Sequence, residues 1–229
     1  MATTTLTPQQ QTLRSTVARK ALMAVTGLIL IAFLLFHMYG NLKVFIGEEA
    51  FNHYAEWLKT DMLYPIFPKG GFIWCFRLVM LAALVLHMWS AITLWLRAKK
   101  ANPDSYAVKK RLERTYSSSM MRWGGIILAG FLVFHLYQFT IAPRDPASPY
   151  NSVVTDFSQW YFVLFYALWL IAVCMHVRHG FWSAFATLGA NTSEESHMVL
   201  NALAWIVALL IYIGFILPPV CILFGLIGA

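Results

Sequence analysis

The stretch Ala21–Leu42, with the sequence ALMAVTGLILIAFLLFHMYGNL, contains no acidic or basic side chain apart from one histidine, His37. As an α-helix it extends about 33 Å, which is enough to cross a hydrocarbon core of roughly 30 Å. A membrane-spanning strand would alternate apolar and polar residues, whereas here apolar side chains occupy every face. The stretch therefore predicts a transmembrane helix.

Four further stretches are also apolar and long enough to cross the membrane. Apolar residues make up 59% of the 229-residue chain and charged residues only 12%, about half the charged fraction of a soluble domain. In lipid, a helix satisfies its own backbone hydrogen bonds. The sequence therefore predicts an all-α integral membrane protein with a single domain over residues 1–229. Its five transmembrane helices are expected at about 21–42, 72–96, 123–141, 160–177 and 199–217.

The segments between the spans are short. Residues 1–18 form a polar N-terminal segment, and residues 48–62, EEAFNHYAEWLKTDM, have the pattern of an amphipathic helix lying on the outer membrane surface. Residues 142–152, APRDPASPYNS, predict a proline-rich turn. The pair Pro218–Pro219 is expected to end or kink the fifth helix.

The net charge of +7 is unevenly distributed along the chain. Basic residues precede the first span and cluster between the second and third, in residues 97–122. By the positive-inside rule, this distribution predicts a cytoplasmic N-terminus and, with five spans, an outside C-terminus. We expect a multi-pass protein of the cell's inner (plasma) membrane. Topology signalling and lipid headgroup contact explain most of this charge, and a docked acidic partner is the alternative. Nucleic acid is not expected as a partner.

One histidine lies inside each of the first four spans, namely His37, His87, His135 and His176. A lone membrane histidine can simply hydrogen-bond a neighbouring carbonyl or hydroxyl. Four of them, one per helix, are harder to explain in this way because ionisable groups are costly in lipid. The sequence offers almost no intramembrane carboxylates as partners, so we expect another group to take the imidazole lone pairs.

The depth of each histidine in the membrane predicts how they pair. His37 lies 18 residues after Arg19, or about 27 Å along the helix axis, and His135 is likewise in the outer half. His87 and His176 lie towards the cytoplasmic side. Two pairs at two depths suit two haems, each held by two histidines, better than a closed tetrahedral zinc cluster. Such haems have no open position for oxygen and carry electrons.

The segments ARKALMAVTGLILIAFLLFHMYGNLKVFIGEEAFNHYAEWL (18–58) and HVRHGFWSAFATLGAN (176–191) carry a family resemblance. They are similar to the di-haem cytochrome b membrane subunit of succinate:quinone oxidoreductases, which comprise succinate dehydrogenase and fumarate reductase. The likeness runs from Arg19 to the fifth span. It implies a bundle of five helices enclosing two haems b, with His37 and His135 as axial ligands of the distal, outer haem. His87 and His176 would hold the proximal, inner haem.

The resemblance further implies a role in the respiratory chain and the tricarboxylic acid cycle, as part of complex II. A flavoprotein subunit would oxidise succinate, and an iron–sulfur subunit would pass the electrons on, both docked on the cytoplasmic face. This chain would contain no catalytic residue for succinate. It would transfer electrons through the haems to menaquinone, and the complex could form a higher oligomer.

The resemblance also suggests residues around the cofactors. The outer quinone-site candidates, which could equally belong to a surface helix without a ligand, are His53, Tyr54, Glu56 and Trp57. An alternative inner quinone site would use Arg19, His179, Trp182 and Ser183. Arg19, Lys20 and His179 are candidates for binding the haem propionates, although a basic helix start can also be only a topology signal.

Two other functions are compatible with much of the sequence. One is a passive membrane anchor without a cofactor, which would only hold soluble subunits at the membrane. The other is the di-haem cytochrome b of another quinone-linked dehydrogenase, such as a hydrogenase or formate dehydrogenase. That class shares the haem arrangement but not the HGFWSAF context of residues 179–185.

Overall fold

The computed structural model describes the backbone of residues 15–101 and 113–228, and the side chains of these ranges apart from those of residues 113–120. Most of the predicted polar N-terminal segment and much of the basic stretch 97–122 therefore lie outside the described residues. Over the described ranges the chain forms helices and no strand.

Seven α-helices follow one another along the described residues. They are α1 (Thr16–Leu42), α2 (Glu48–Thr60), α3 (Gly71–Ala101), α4 (Glu113–Leu136), α5 (Pro149–Phe157), α6 (Trp160–Thr187) and α7 (Glu194–Leu223). A 3₁₀ turn, Lys43–Ile46, follows α1, and a π-helical turn, Tyr137–Ile141, follows α4. The spans α1, α3, α4, α6 and α7 are long and apolar enough to cross a membrane. The predicted all-α membrane fold with five spans is confirmed.

Serine residues mark the starts of three helices. The Ser15 hydroxyl accepts the Ala18 N–H at 3.0 Å before α1. Ser148 caps α5 in the same way, and Ser193 forms a capping box with Ser196 before α7. These bonds satisfy N–H groups that the first helical turn leaves without an intrahelical partner.

The last two spans are longer than predicted. Helix α6 continues to Thr187, and α7 begins at Glu194 and runs through Pro218–Pro219 to Leu223. The two prolines do not end the helix, because both are buried in the bundle and only one further turn follows them. Packing of this last turn against α5 outweighs the hydrogen bonds that the prolines cannot donate.

The predicted proline-rich turn contains a short helix, α5, which packs against the amphipathic α2. Ser148 provides the cap and Pro149 the first helical residue, a position that proline favours. Asn52 of α2 donates to the Ser148 hydroxyl at 2.9 Å and accepts the Tyr150 N–H at 3.0 Å. Helices α2 and α5 therefore cover one end of the bundle, which we call the α2 end. The opposite end, where α1 begins, is the N-terminal end.

Helices α1 and α6 form the centre of the bundle. Helix α1 packs against α3, α6 and α7, while α6 also packs against α4 and α7. One buried cluster, which includes Phe131, Tyr166 and Ile222, lies at the α2 end, and a second, around Ile211, lies in the interior. Many large apolar side chains on the outer faces are exposed, as expected for surfaces that contact lipid rather than water.

Candidate functional site

The first histidine pair lies towards the α2 end, between α1 and α4. The imidazole rings of His37 and His135 have their centres 5.9 Å apart and are nearly perpendicular, with an interplanar angle of 83°. Phe33 stacks on His37 at 5.3 Å, and Phe131 stacks on His135 at 6.0 Å. These stacked rings restrict the orientation of both imidazoles.

The second pair lies between α3 and α6, nearer the N-terminal end. The ring centres of His87 and His176 are 6.3 Å apart, with an interplanar angle of 67°. The structure therefore brings together the two pairs that helix depth predicts. Their role as metal ligands remains a prediction.

The spacing within each pair matches a metal held between two imidazoles. Two metal–imidazole bonds of about 2 Å, plus the distance from each nitrogen to its ring centre, separate the ring centres by about 6 Å. Among the described residues, no group of three or more His, Cys, Asp or Glu side chains could hold a metal ion. Each pair would therefore supply two ligands, and a macrocycle would have to provide the others.

The hydrogen bonds of His87 leave one ring nitrogen available. Its Nδ1 lies 3.1 Å from the Met23 carbonyl oxygen and 3.3 Å from the Thr26 hydroxyl. A carbonyl can only accept, so Nδ1 carries the proton and Nε2 has the free lone pair. Ligating histidines typically donate their other ring N–H to a carbonyl or carboxylate in this way.

Several buried polar atoms in the N-terminal half of the bundle have no hydrogen-bond partner among the residues that the structure describes. They include Nδ1 of His176, Nε of Arg19, Nε of Arg178 and Nε1 of Trp182. Buried polar groups normally have partners, so each of these atoms requires an explanation. Three of the four belong to side chains whose N–H groups can only donate, and an anionic group such as a propionate would accept from them.

Two glycines leave space beside the second pair. A Cβ at Gly27 of α1 would lie 3.2 Å from Cε1 of His87, and one at Gly125 of α4 would lie 3.9 Å from Cε1 of His176. The first distance is shorter than an ordinary carbon–carbon contact. Only glycine at position 27 therefore leaves the His87 ring where it stands.

At the α2 end, a surface cavity of about 360 Å³ is lined by Lys43, Ala50, His53, Tyr54 and Trp57. The Lys43 ammonium lies 5.0 Å from the centre of the Tyr54 ring, and Tyr54 stacks on Trp57 at 6.0 Å. Burial, the largest cause, raises the pKa of Tyr54 above its ordinary value of 10.0. The Tyr54 hydroxyl is therefore a protonated hydrogen-bond donor at neutral pH.

The comparison with known families places these features in context. A model of the family "Succinate dehydrogenase/Fumarate reductase transmembrane subunit" matches residues 96–217, more than half of the chain. The chain belongs to this family. The matched range contains His135 and His176 but begins after His37 and His87. No curated protein and no solved structure matches the chain.

Family membership identifies the chain as a multi-pass membrane subunit of the succinate dehydrogenase/fumarate reductase complex, an oxidoreductase. The membrane subunit is not the catalytic one. Haem, menaquinone, membrane orientation and the individual partner subunits remain predictions.

The outer quinone-site candidates of this transmembrane subunit are only partly brought together. His53, Tyr54 and Trp57 line the cavity at the α2 end, but Glu56 is exposed and is not part of its lining. Lys43 also lines this cavity. Nothing in the local sequence selects Lys43, because its position over the Tyr54 ring depends on the 3₁₀ turn.

The candidates at the N-terminal end are more dispersed. Arg19 lies over the Trp89 ring at 4.9 Å, whereas Lys20 is exposed. His179 and Ser183 are partly buried. The Trp182 ring lies 5.5 Å from His197, and His197 lines a second surface cavity of about 660 Å³ together with residues 191–194 and 198. These positions leave the inner quinone site and the propionate contacts as predictions.

Sequence reasoning missed a polar cluster beside the first pair. It consists of Gln138, Arg144, Asp156 and Tyr166. The sequence shows Gln138 one turn after His135, but nothing in it places Asp156 beside that glutamine. Asp156 lies in a segment expected to be a loop, and the neighbouring residues do not indicate which side chain it contacts.

Proposed function

We propose that this transmembrane subunit binds two haems b, one between His37 and His135 and one between His87 and His176. The observation that carries the proposal is the spacing of the two pairs, whose ring centres lie 5.9 Å and 6.3 Å apart. Haem held by two imidazoles supplies one-electron transfer and leaves no position for oxygen. The subunit would thereby carry electrons across the membrane from an iron–sulfur subunit to a quinone.

The two ends of the bundle have different roles in this proposal. The flavoprotein and iron–sulfur subunits dock at the N-terminal end, on the cytoplasmic face of the plasma membrane, with the C-terminus outside. Basic residues at the end of α3, including Lys99 and Lys100, support this assignment. The buried Nε of Arg19, whose side chain lies over Trp89 on the helix of His87, would donate to a propionate of the nearer haem.

The cavity at the α2 end is the proposed site for menaquinone. A quinone carbonyl oxygen accepts hydrogen bonds, and the Tyr54 hydroxyl, the His53 ring and the Lys43 ammonium are donors that line the cavity. Trp57, stacked on Tyr54, provides an aromatic surface for the quinone ring. The cavity opens at the end of the bundle that holds the His37–His135 pair.

The decisive experiment is a redox titration of the purified complex, followed by optical and EPR spectroscopy. We expect two haems b per chain. His37→Ala or His135→Ala should remove one spectral component, and His87→Ala or His176→Ala the other. A colourless complex that still assembles would instead identify the chain as a passive anchor, and four variants that all retain both haems would refute the ligand assignment.

The quinone site has a separate test with a matched control. Tyr54→Phe removes the donor hydroxyl but keeps the ring, so we expect slower succinate-driven quinone reduction with the haem content unchanged. Tyr64 lies at the same end, with the Lys69 ammonium 5.7 Å from its ring centre, and Tyr64→Phe should leave the rate unchanged. Equal rates for both variants and the wild type would exclude Tyr54 from the site.

A further inference from the structure

A chain of hydrogen bonds connects His135 with the surface of the α2 end. Nδ1 of His135 lies 3.3 Å from the Tyr166 hydroxyl oxygen. Tyr166 donates to Oε1 of Gln138 at 2.7 Å, and Nε2 of Gln138 donates to Oδ2 of Asp156 at 2.7 Å. Arg144 completes the chain by donating from Nε to Oδ1 of Asp156, also at 2.7 Å.

The chemistry of these groups determines which one donates and which one accepts in each hydrogen bond. The Asp156 carboxylate can only accept, so Gln138 turns its NH₂ group towards it and its carbonyl oxygen towards Tyr166. The Gln138 carbonyl oxygen accepts a hydrogen bond from the Tyr166 O–H. The Tyr166 oxygen is therefore left to accept a hydrogen bond from His135. Nδ1 of His135 therefore carries the proton, and Nε2 keeps its lone pair.

Most of the hydrogen-bond chain is buried, and its side chains are held in place by the fold. Asp156 is 1% exposed, and Gln138 and Tyr166 are each 7% exposed, whereas the Arg144 side chain is 53% exposed. The rings of Phe131 and Phe157 contact the Tyr166 ring edge-on, each at 4.9 Å. Gln138 belongs to the π-helical turn after α4, a feature that is often found at functional sites.

The His87–His176 pair has a different acceptor. The His87 Nδ1 contacts are the backbone carbonyl of Met23 and the hydroxyl of Thr26, both uncharged. The His135 chain instead ends at a carboxylate that is paired with arginine. Hydrogen bonds to a charged acceptor are stronger than those between neutral groups. The acceptor of the ring N–H therefore differs between the two histidine pairs.

We propose that Asp156 is a positioning residue for His135 and acts on it through Gln138 and Tyr166. The hydrogen-bond chain fixes the tautomer of His135, leaves the Nε2 lone pair available and strengthens the imidazole as an electron donor to the metal. This inference rests on the proposed haem function. A stronger imidazole donor stabilises the oxidised iron, so the chain lowers the reduction potential of the haem at this pair.

The test measures the midpoint potentials of both haems in the purified complex carrying Tyr166→Phe or Asp156→Asn. Each variant should raise the potential of the haem at the His37–His135 pair and leave the other haem unchanged. We expect about a tenfold change in the ratio of oxidised to reduced haem at fixed potential, by analogy with the roughly 10- to 100-fold effects that outer-shell partners have on metal affinity or activity. For a one-electron couple this corresponds to about 59 mV.

A double variant separates the hydrogen-bond chain from the simple electric field of the carboxylate. If Asp156 acts through the chain, Tyr166→Phe already disconnects it, and adding Asp156→Asn should change the potential little further. Purely additive shifts would overturn the proposal, since they would show that Asp156 acts through space. Tyr166→Phe keeps the ring that packs against Phe131 and Phe157, so this variant remains informative if Asp156→Asn does not assemble.

Matched controls come from the same end of the bundle. Asp61→Asn removes an exposed carboxylate whose partner is Lys69 at 3.1 Å, and Tyr150→Phe removes a buried phenol of the same apolar cluster. Neither should shift a haem potential. As a second readout, the EPR g-values of the oxidised haem should change in Tyr166→Phe, because they report the orientation of the axial imidazoles.

The possible failures are distinguishable. A wild-type complex without haem would refute the proposed function and, with it, this inference. A wild-type complex with two haems whose potentials and g-values are the same in Tyr166→Phe would refute only the inference.

Discussion

Replacing Gly27 tests whether α1 must leave room for the His87 ring. A Cβ at this position would lie 3.2 Å from Cε1 and 3.5 Å from Nδ1 of His87. The preferred carbon–carbon separation is about 3.5–4.0 Å, so alanine would push the ring by roughly 0.3–0.8 Å. Valine would place methyl groups about 1.5 Å beyond the Cβ, and the ring would have to leave its position.

The effect on ligation by His87 depends on how far its ring can move before the geometry of the site is lost. Functional constellations lose their geometry beyond a displacement of about 0.5 Å, and overpacking of this kind costs about 1–3 kcal/mol. If the cost falls on the haem-bound state, it would weaken the affinity for the proposed haem roughly 5- to 150-fold. We therefore expect Gly27→Ala to shift the spectrum of the haem at the His87–His176 pair, and Gly27→Val to lose that haem.

The assay is the haem content per chain, measured together with the redox difference spectrum of the purified complex. Two controls bracket the result. Gly125→Ala makes only an ordinary contact, 3.9 Å from Cε1 of His176, and should keep both haems. Ala32 lies on the exposed face of α1, and Ala32→Leu should also be silent. If Gly27→Val keeps two haems with unchanged spectra, the clearance argument is wrong.

Two further predictions concern stability. A Cβ at Gly214 would overlap the Met38 side chain, with Cγ only 2.6 Å away. Gly214→Ala should therefore destabilise the bundle by about 1–3 kcal/mol, measured by thermal unfolding in detergent. Gly130→Ala is the control, because a Cβ there would meet open space. The hydrogen bond from Asn151 is the largest cause that lowers the pKa of Asp145 below its ordinary value of 3.8. Because the folded pKa is depressed, this carboxylate contributes stability above the unfolded pKa, which is lost as the pH falls through the lower folded value. The difference in melting temperature between wild type and Asp145→Asn should therefore be present at neutral pH and disappear in strong acid.

The arrangement of the spans and of the histidine pairs could be predicted because simple geometry controls both. A helix rises about 1.5 Å per residue and the bilayer has a fixed thickness, so the distance of His37 from Arg19 already sets its depth. The same reasoning placed His87 at the level of His176, and the structure brings these two rings within 6.3 Å.

The polar chain beside His135 could not be predicted because it depends on contacts that are distant in sequence. Asp156 reaches Gln138 only because α5 forms and packs on α2, where the Ser148 hydroxyl donates to Glu48 and accepts from Asn52. Those pairs are separated by 100 and 96 residues. Local sequence indicated a turn in this region, and the tertiary contacts determine where the carboxylate lies.

The difference between the two pairs follows from their positions in the bundle. A histidine that ligates a metal through Nε2 needs an acceptor for its Nδ1–H, and a charged acceptor inside lipid is costly unless it is paired. His87 meets this need with a backbone carbonyl of α1. His135 lies near the α2 end, where the buried Asp156 can pair with Arg144, whose side chain is half exposed. The arginine thus makes a buried carboxylate tolerable at the end of the span, and the carboxylate in turn gives His135 an acceptor chain that His87 does not use.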